Sequence, residues 1–354
     1  MKLQITNIQL ACFLANVLYS ISLVQEDLVV TNPAGQNAWI VFFFLVPYIM
    51  ILVFVSFFNQ NNVWRVLSSD KEEYHWSEKL LAFVFICFLM LLFIHDLQSF
   101  LLPTKQAILP QTPLLVIIVI TMMVLVYLAR LGLGTLAIYN QIFLPILLIF
   151  ASTIPLSVVN KVEFLNFVPI LNSHTYPSIL QALLNSLPWT GQVVIMFLIL
   201  GDMKPLKSIR LTAIAGAVIG LLSLYLLIFF KIAVFGEDLV RNQTTSTLAL
   251  SRELRFVEVI FIFSAWITTV FSKLSIEVYC LYKCINILFK LKTTLTAYPA
   301  VIIPGIIILL FFQNNMDHYN FYLTNFSLGG TMLFITEVLI VLLFVVAANS
   351  KKRI

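Results

Sequence analysis

Charge is what this sequence lacks most. Of its 354 residues only 10% are Asp, Glu, Lys or Arg, while 61% are hydrophobic and the mean hydropathy is +1.01. So few charges cannot give a polar shell to that much apolar surface, so lipid is the solvent for most of the chain. Cysteine is scarce too. Cys12, Cys87, Cys280 and Cys284 fall in or beside apolar runs rather than in polar loops, which argues against an extracellular disulfide framework. Cys280 and Cys284 lie four apart on one helix face, but no second His or Cys pair completes a site, and no metal is expected.

Catalytic signatures are missing as well. There is no P-loop, no H-E-x-x-H and no G-x-S-x-G, and the four His are spread over separate segments, so neither an enzyme nor a cofactor is expected. Gly132-x-Gly134-x-x-Ala137 matches a dinucleotide fingerprint in letters only, because it joins two apolar runs and follows no strand. The net charge of +5 comes without a basic patch interleaved with aromatics. It fits loops that face anionic headgroups and gives no nucleic-acid signal.

What is present is a series of apolar runs of the length that spans a bilayer, roughly 20 residues each. Candidate spans cover 8–30, 39–58, 80–102, 114–131, 136–158, 179–200, 211–235, 257–282, 295–312 and 328–348. The fold class is therefore an all-α polytopic membrane protein of about ten transmembrane helices in a single integral membrane domain, 1–354. The first run lacks a small-residue cleavage site and reads as a retained helix. With the amino terminus inside, about 14 Lys and Arg fall in cytoplasmic segments against roughly six outside, so both termini are expected in the cytoplasm.

Functional candidates are the places where a span is broken or carries a polar group, since interrupted helices near the midplane form transporter binding sites. The clearest is Asn185-Ser186-Leu187-Pro188-Trp189-Thr190-Gly191 in the sixth span. Pro188 removes a backbone donor and Gly191 tolerates unusual dihedrals, so local unwinding is expected; a plain proline kink is the simpler alternative. The first span carries Asn16, Tyr19, Ser20 and Ser22, which either line a cavity or glue helices together. Intramembrane charge is costly and seldom kept without a partner or a role. Lys273 and Glu277 lie four apart on one face of the eighth span, beside Thr268, Thr269, Ser272 and Ser275. That spacing suits an ion pair, polarising a site or purely structural. Asp96, after His95, lies in the third span near its outer end, and Glu337 lies inside the tenth. Asp96, Glu277 and Glu337 are the candidate coupling charges.

Several stretches resemble one family. Ala34-Gly35-Gln36-Asn37-Ala38-Trp39, Leu109-Pro110-Gln111-Thr112-Pro113, Tyr127-Leu128-Ala129-Arg130-Leu131-Gly132 and Phe164-Leu165-Asn166-Phe167-Val168-Pro169-Ile170-Leu171 are similar to the B subunit of spore germinant receptors. That family belongs to the amino acid/polyamine/organocation permease superfamily. The resemblance implies a LeuT-like five-plus-five inverted repeat, its halves 8–158 and 179–348. It also implies a nutrient ligand, amino acid or nucleoside, at Asn16, Tyr19, Ser20, Ser186, Pro188, Trp189, Gly191, Thr268, Thr269 and Lys273. A-type and C-type partner subunits in the spore inner membrane, with membrane lipid around them, complete the implied setting. An active amino-acid permease is the alternative. The first span departs from the superfamily in lacking a glycine near its centre.

Overall fold

The computed structural model describes residues 5–19, 33–58, 60–69, 73–168, 175–203, 209–242, 256–324 and 326–350. Among these a helix stands at each of the ten expected positions. They are α1 (Asn7–Tyr19), α2 (Ala38–Phe58), α4 (Trp76–Pro103), α5 (Leu114–Arg130) and α6 (Leu133–Val158). The second half has α7 (Thr175–Thr190) continuing into α8 (Ile195–Asp202), then α9 (Ile209–Asn242), α10 (Phe256–Phe289), α11 (Ala297–Phe311) and α12 (Leu328–Ser350). A short helix α3 (Gln60–Leu67) lies in the polar gap after α2. Helix is the expected answer in lipid, because every backbone N–H and C=O must find its partner within the segment.

Among the described residues, length and composition alone qualify five stretches to cross a membrane: Gly35–Phe57, Trp76–Gln106, Tyr176–Asp202, Ile209–Glu237 and Met316–Asn349. The pair α5 and α6, bent by 113° across Leu131 and Gly132, adds a sixth, and α1 and α11 are shorter apolar helices. Charge sets α10 apart, since Glu258, Lys273, Glu277 and Lys283 interrupt its apolar sequence.

Burial separates the interior helices from those that face lipid. In the hydrophobic windows of α7–α8 and α4, 83% and 61% of residues are buried, against 33–44% in the other three long stretches. The remaining packing follows side-chain size. α1 lies against α9 and α6, while α10 lies against α4 and α6. The α1–α9 approach depends on Gly216 and Gly220, where an added Cβ would stand 2.6 Å from the Ala11 carbonyl oxygen and 2.9 Å from Leu18 Cβ. Small residues four apart let two helix backbones meet closely, the usual membrane solution where burying apolar surface gives no net gain.

The start of α4 is fixed by a capping box. The Glu78 carboxylate accepts the His75 backbone N–H at 2.9 Å, and His75 Nδ1 accepts the Ser77 N–H at 3.5 Å. From there α4 runs 28 residues, about 42 Å at 1.5 Å per residue, carrying His95 and Asp96 into the interior.

Candidate functional site

The sixth span is interrupted, but it is tightened rather than unwound. α7 passes through Pro188 and ends at Thr190; Gly191–Val194 then form one 3₁₀ turn before α8 resumes at Ile195. Proline cannot donate to the carbonyl one turn back, and hydroxyls take up several carbonyls around it. Ser186 Oγ donates to Ala182 O at 2.6 Å, and Thr190 Oγ1 to Ser186 O and Leu187 O at 3.1 and 3.2 Å. The Ser186 hydroxyl is therefore engaged by its own helix.

At Gly191 the helix is approached by Glu337 of α12. A Cβ there would collide with the Glu337 carboxyl group, so only glycine leaves the space. Glu337 is 1% exposed and accepts a hydrogen bond from Tyr48 of α2, while its Oε2 has no hydrogen-bond partner among the described residues.

Gln192, the residue after Gly191, reaches the charged centre. Lys273 Nζ stands 2.8 Å from Asp96 Oδ2, with both side chains at 0% exposure, and donates to Gln192 Oε1 at 2.5 Å. The pairing along α10 with Glu277, expected from the four-residue spacing, gives way to a pairing across to α4. Asp96 sits in the packed interior and not at a water-reachable span end. The indole of Trp189 lies 4.1 Å from the ring of His95, the residue before Asp96 on α4.

A second polar layer joins α1, α6 and α10. Asn16 Nδ2 donates to Asn140 Oδ1 at 2.6 Å and to Thr269 O at 3.2 Å, and Asn140 Nδ2 donates to Ser272 Oγ at 2.6 Å. Tyr19 is buried at the end of α1, and Ser20 lies outside the described residues. The hydroxyls of Thr268 and Thr269 both donate back within α10, to Ser264 O at 3.1 Å and Trp266 O at 2.9 Å.

Both ends of this centre are covered by residues that sequence reasoning passed over. On one side, a turn at Asn315–His318 and a π-turn at Tyr319–Leu323 fold back between α11 and α12. His318 Nε2 lies 3.1 Å from His95 Nδ1, Tyr322 donates to Leu91 O at 3.0 Å, and Gln98 Nε2 donates to Phe312 O at 2.7 Å. A cavity of about 210 Å³, lined by Asn185, Pro188, Tyr322, Ser327 and Thr331, adjoins this cover. At the far end, Asp202 accepts from Ser69 N and Oγ at 3.0 and 2.8 Å and from Tyr279 at 2.7 Å, and pairs with Lys283 at 2.8 Å. The signal for both covers lies in isolated polar residues at span ends, which pattern reading assigns to solvent.

The pattern of the family described as "Spore germination protein" matches residues 4–318, most of the chain. The chain belongs to that family. Its relatives include YfkT of Bacillus subtilis (strain 168), a protein named for spore germination, 22% identical over 271 residues that make up 73% of each chain. Among solved structures, a Na⁺-coupled sialic acid symporter in its substrate-bound outward-open state superposes with a TM-score of 0.67. That alignment covers 96% of this chain and 78% of the symporter at 14% identity, a likeness of fold. Family, fold and apolar helices together make this an integral membrane protein built like a permease.

Proposed function

We propose that this chain is the permease-like B-type subunit of a spore germinant receptor, taking a small nutrient, amino acid or nucleoside, and signalling through A- and C-type partner subunits. The observation that carries the reading is the Lys273–Asp96–Gln192 centre, fully buried beside Trp189 at the one interruption of the sixth span. A buried ammonium whose partners include one carboxylate and one amide can exchange either for an anionic group of a ligand. Asn16, Tyr19 and Thr269 are the further ligand candidates on α1 and α10, with Ser20 beyond Tyr19 in sequence. Pro188, Ser186 and Gly191 shape the turn that presents Trp189 and Gln192. The proposed path of access runs from the 210 Å³ cavity past Tyr322 and His318. In this reading 8–158 and 179–348 are the two five-helix halves, both termini are cytoplasmic, and the host membrane is the inner membrane of the spore.

A ligand signals here by binding one helix arrangement better than another, and the partners read that shift in population. The likeness to a symporter favours one second reading, an active permease that releases its ligand on the far side. Clean deletion of the chain, scored over a panel of amino acids and nucleosides with complementation, separates the two. Loss of the response to one nutrient class supports the receptor. Unchanged germination together with uptake by the purified chain in liposomes supports the permease.

A further inference from the structure

Two buried carboxyl groups and one ammonium lie together at the centre of this protein. Asp96 and Glu277 are both 0% exposed and within hydrogen-bonding reach of each other, and Lys273 is paired with Asp96. Asp96 Oδ1 and both Glu277 oxygens receive no hydrogen bond from any described residue. The titratable groups around the cluster are Lys273 and Cys280 on α10, His95 and Asp96 on α4, His318 and Tyr322 in the folded-back segment, and Asp202 at the end of α8. His95 and His318 face each other through ring nitrogens, an arrangement that two neutral imidazoles satisfy with one N–H. α1 and α6 bring only the neutral Asn16 and Asn140.

An ionised carboxylate buried without a donor is costly, and two ionised carboxylates in contact repel. A single proton removes both problems. Placed on Glu277, it gives an O–H donor aimed at the Asp96 carboxylate, satisfies an orphaned oxygen on each residue, and leaves the set Asp96⁻, Lys273⁺ and neutral Glu277 with no net charge. We propose that Glu277 is a resident proton-binding site in the interior of the helix bundle. The inference rests on the ligand reading above for its consequence. When the carboxylate of an amino acid takes the Lys273 ammonium, Asp96 loses its counter-ion, and a proton from bulk solvent can neutralise Asp96 in its place.

The resident proton is measurable without the ligand. In the full chain reconstituted in lipid nanodiscs at neutral pH in K⁺ buffer, infrared difference spectra should show the C=O stretch of a protonated carboxyl that shifts in D₂O. In a Glu337→Gln background, which removes the C=O stretch of the other buried carboxyl named above, Glu277→Gln should remove that band. The amide introduced by Glu277→Gln supplies the same donor to Asp96, so this variant should keep the wild-type melting temperature, whereas Glu277→Ala should lower it. Exchange of K⁺ for Na⁺ should leave the band unchanged. A band insensitive to Glu277→Gln, or one lost on adding Na⁺, overturns the proposal. Either outcome is separate from failure of the ligand reading, which is scored by spore response to changes at Trp189.

Discussion

Lys273→Met is the perturbation whose size the structure fixes best. The substitution keeps the length of the side chain and removes only its charge, leaving Asp96 at 0% exposure without the ammonium 2.8 Å away and Gln192 without its 2.5 Å donor. Removing one partner of a buried ion pair costs ~3–5 kcal/mol, because the other charge stays buried and unpaired. At ~1.3 °C per kcal/mol, from an unfolding entropy of ~2.1 cal/mol/K per residue over 354 residues, the melting temperature of the detergent-purified protein should fall by roughly 4 to 7 °C. Neutralising the survivor reverses the sign of the argument: Lys273→Met with Asp96→Asn should recover about half or more of the loss. Arg130→Met serves as the control. Arg130 is exposed and donates to Tyr298 at 2.8 Å, so its loss should cost less than ~1 kcal/mol. A Lys273→Met protein as stable as the wild type, or a double variant no better than the single one, would refute the pairing.

Three further outcomes follow from named contacts. Gly191→Ala should destabilise the chain by ~1–3 kcal/mol through the collision with Glu337, and Glu337→Ala in the same chain should relieve it in thermal melts. Asp202→Ala should free Tyr279, Ser69 and Lys283 together, and raise maleimide labelling of the buried Cys280 and Cys284 in membranes; unchanged labelling would show that Asp202 does not hold that end shut. Asn16→Leu should cost ~1–3 kcal/mol, because Asn140 Oδ1 then loses its 2.6 Å donor, and Asn16→Asp/Asn140→Asp should be worse than either alone.

The helices were legible because lipid forces one rule on every span, so ten apolar runs mark ten helical segments whatever they pack against. The interruption near Pro188 was legible for the same local reason, since Pro and Gly act on their own backbone. Its form was not. Whether the chain opens or tightens depends on Ser186 and Thr190 hydroxyls finding carbonyls and on Glu337 arriving at Gly191 from another helix. The partner of Lys273 shows the same limit. Four-residue spacing points to Glu277, but Asp96 comes from a helix far away in sequence, and only tertiary packing brings it within 2.8 Å. Thr268 and Thr269 read as cavity-lining hydroxyls, yet both donate back to carbonyls of their own helix, and it is the backbone carbonyl of Thr269 that meets Asn16. The segment from Phe312 to Ser327 reads as a polar connection, and nothing in its pattern announces that His318 and Tyr322 fold back onto His95.

The central claim is that a nutrient is sensed beside Trp189 and Lys273. Its most direct test is the nutrient response of spores whose only copy of this chain carries Trp189→Ala, with its abundance in the membrane matched to wild type. The account predicts that the response to the cognate nutrient is lost or shifted to at least ~10-fold higher concentration, as expected when an aromatic worth more than ~1.4 kcal/mol leaves a binding site. A wild-type dose response at equal abundance would contradict it.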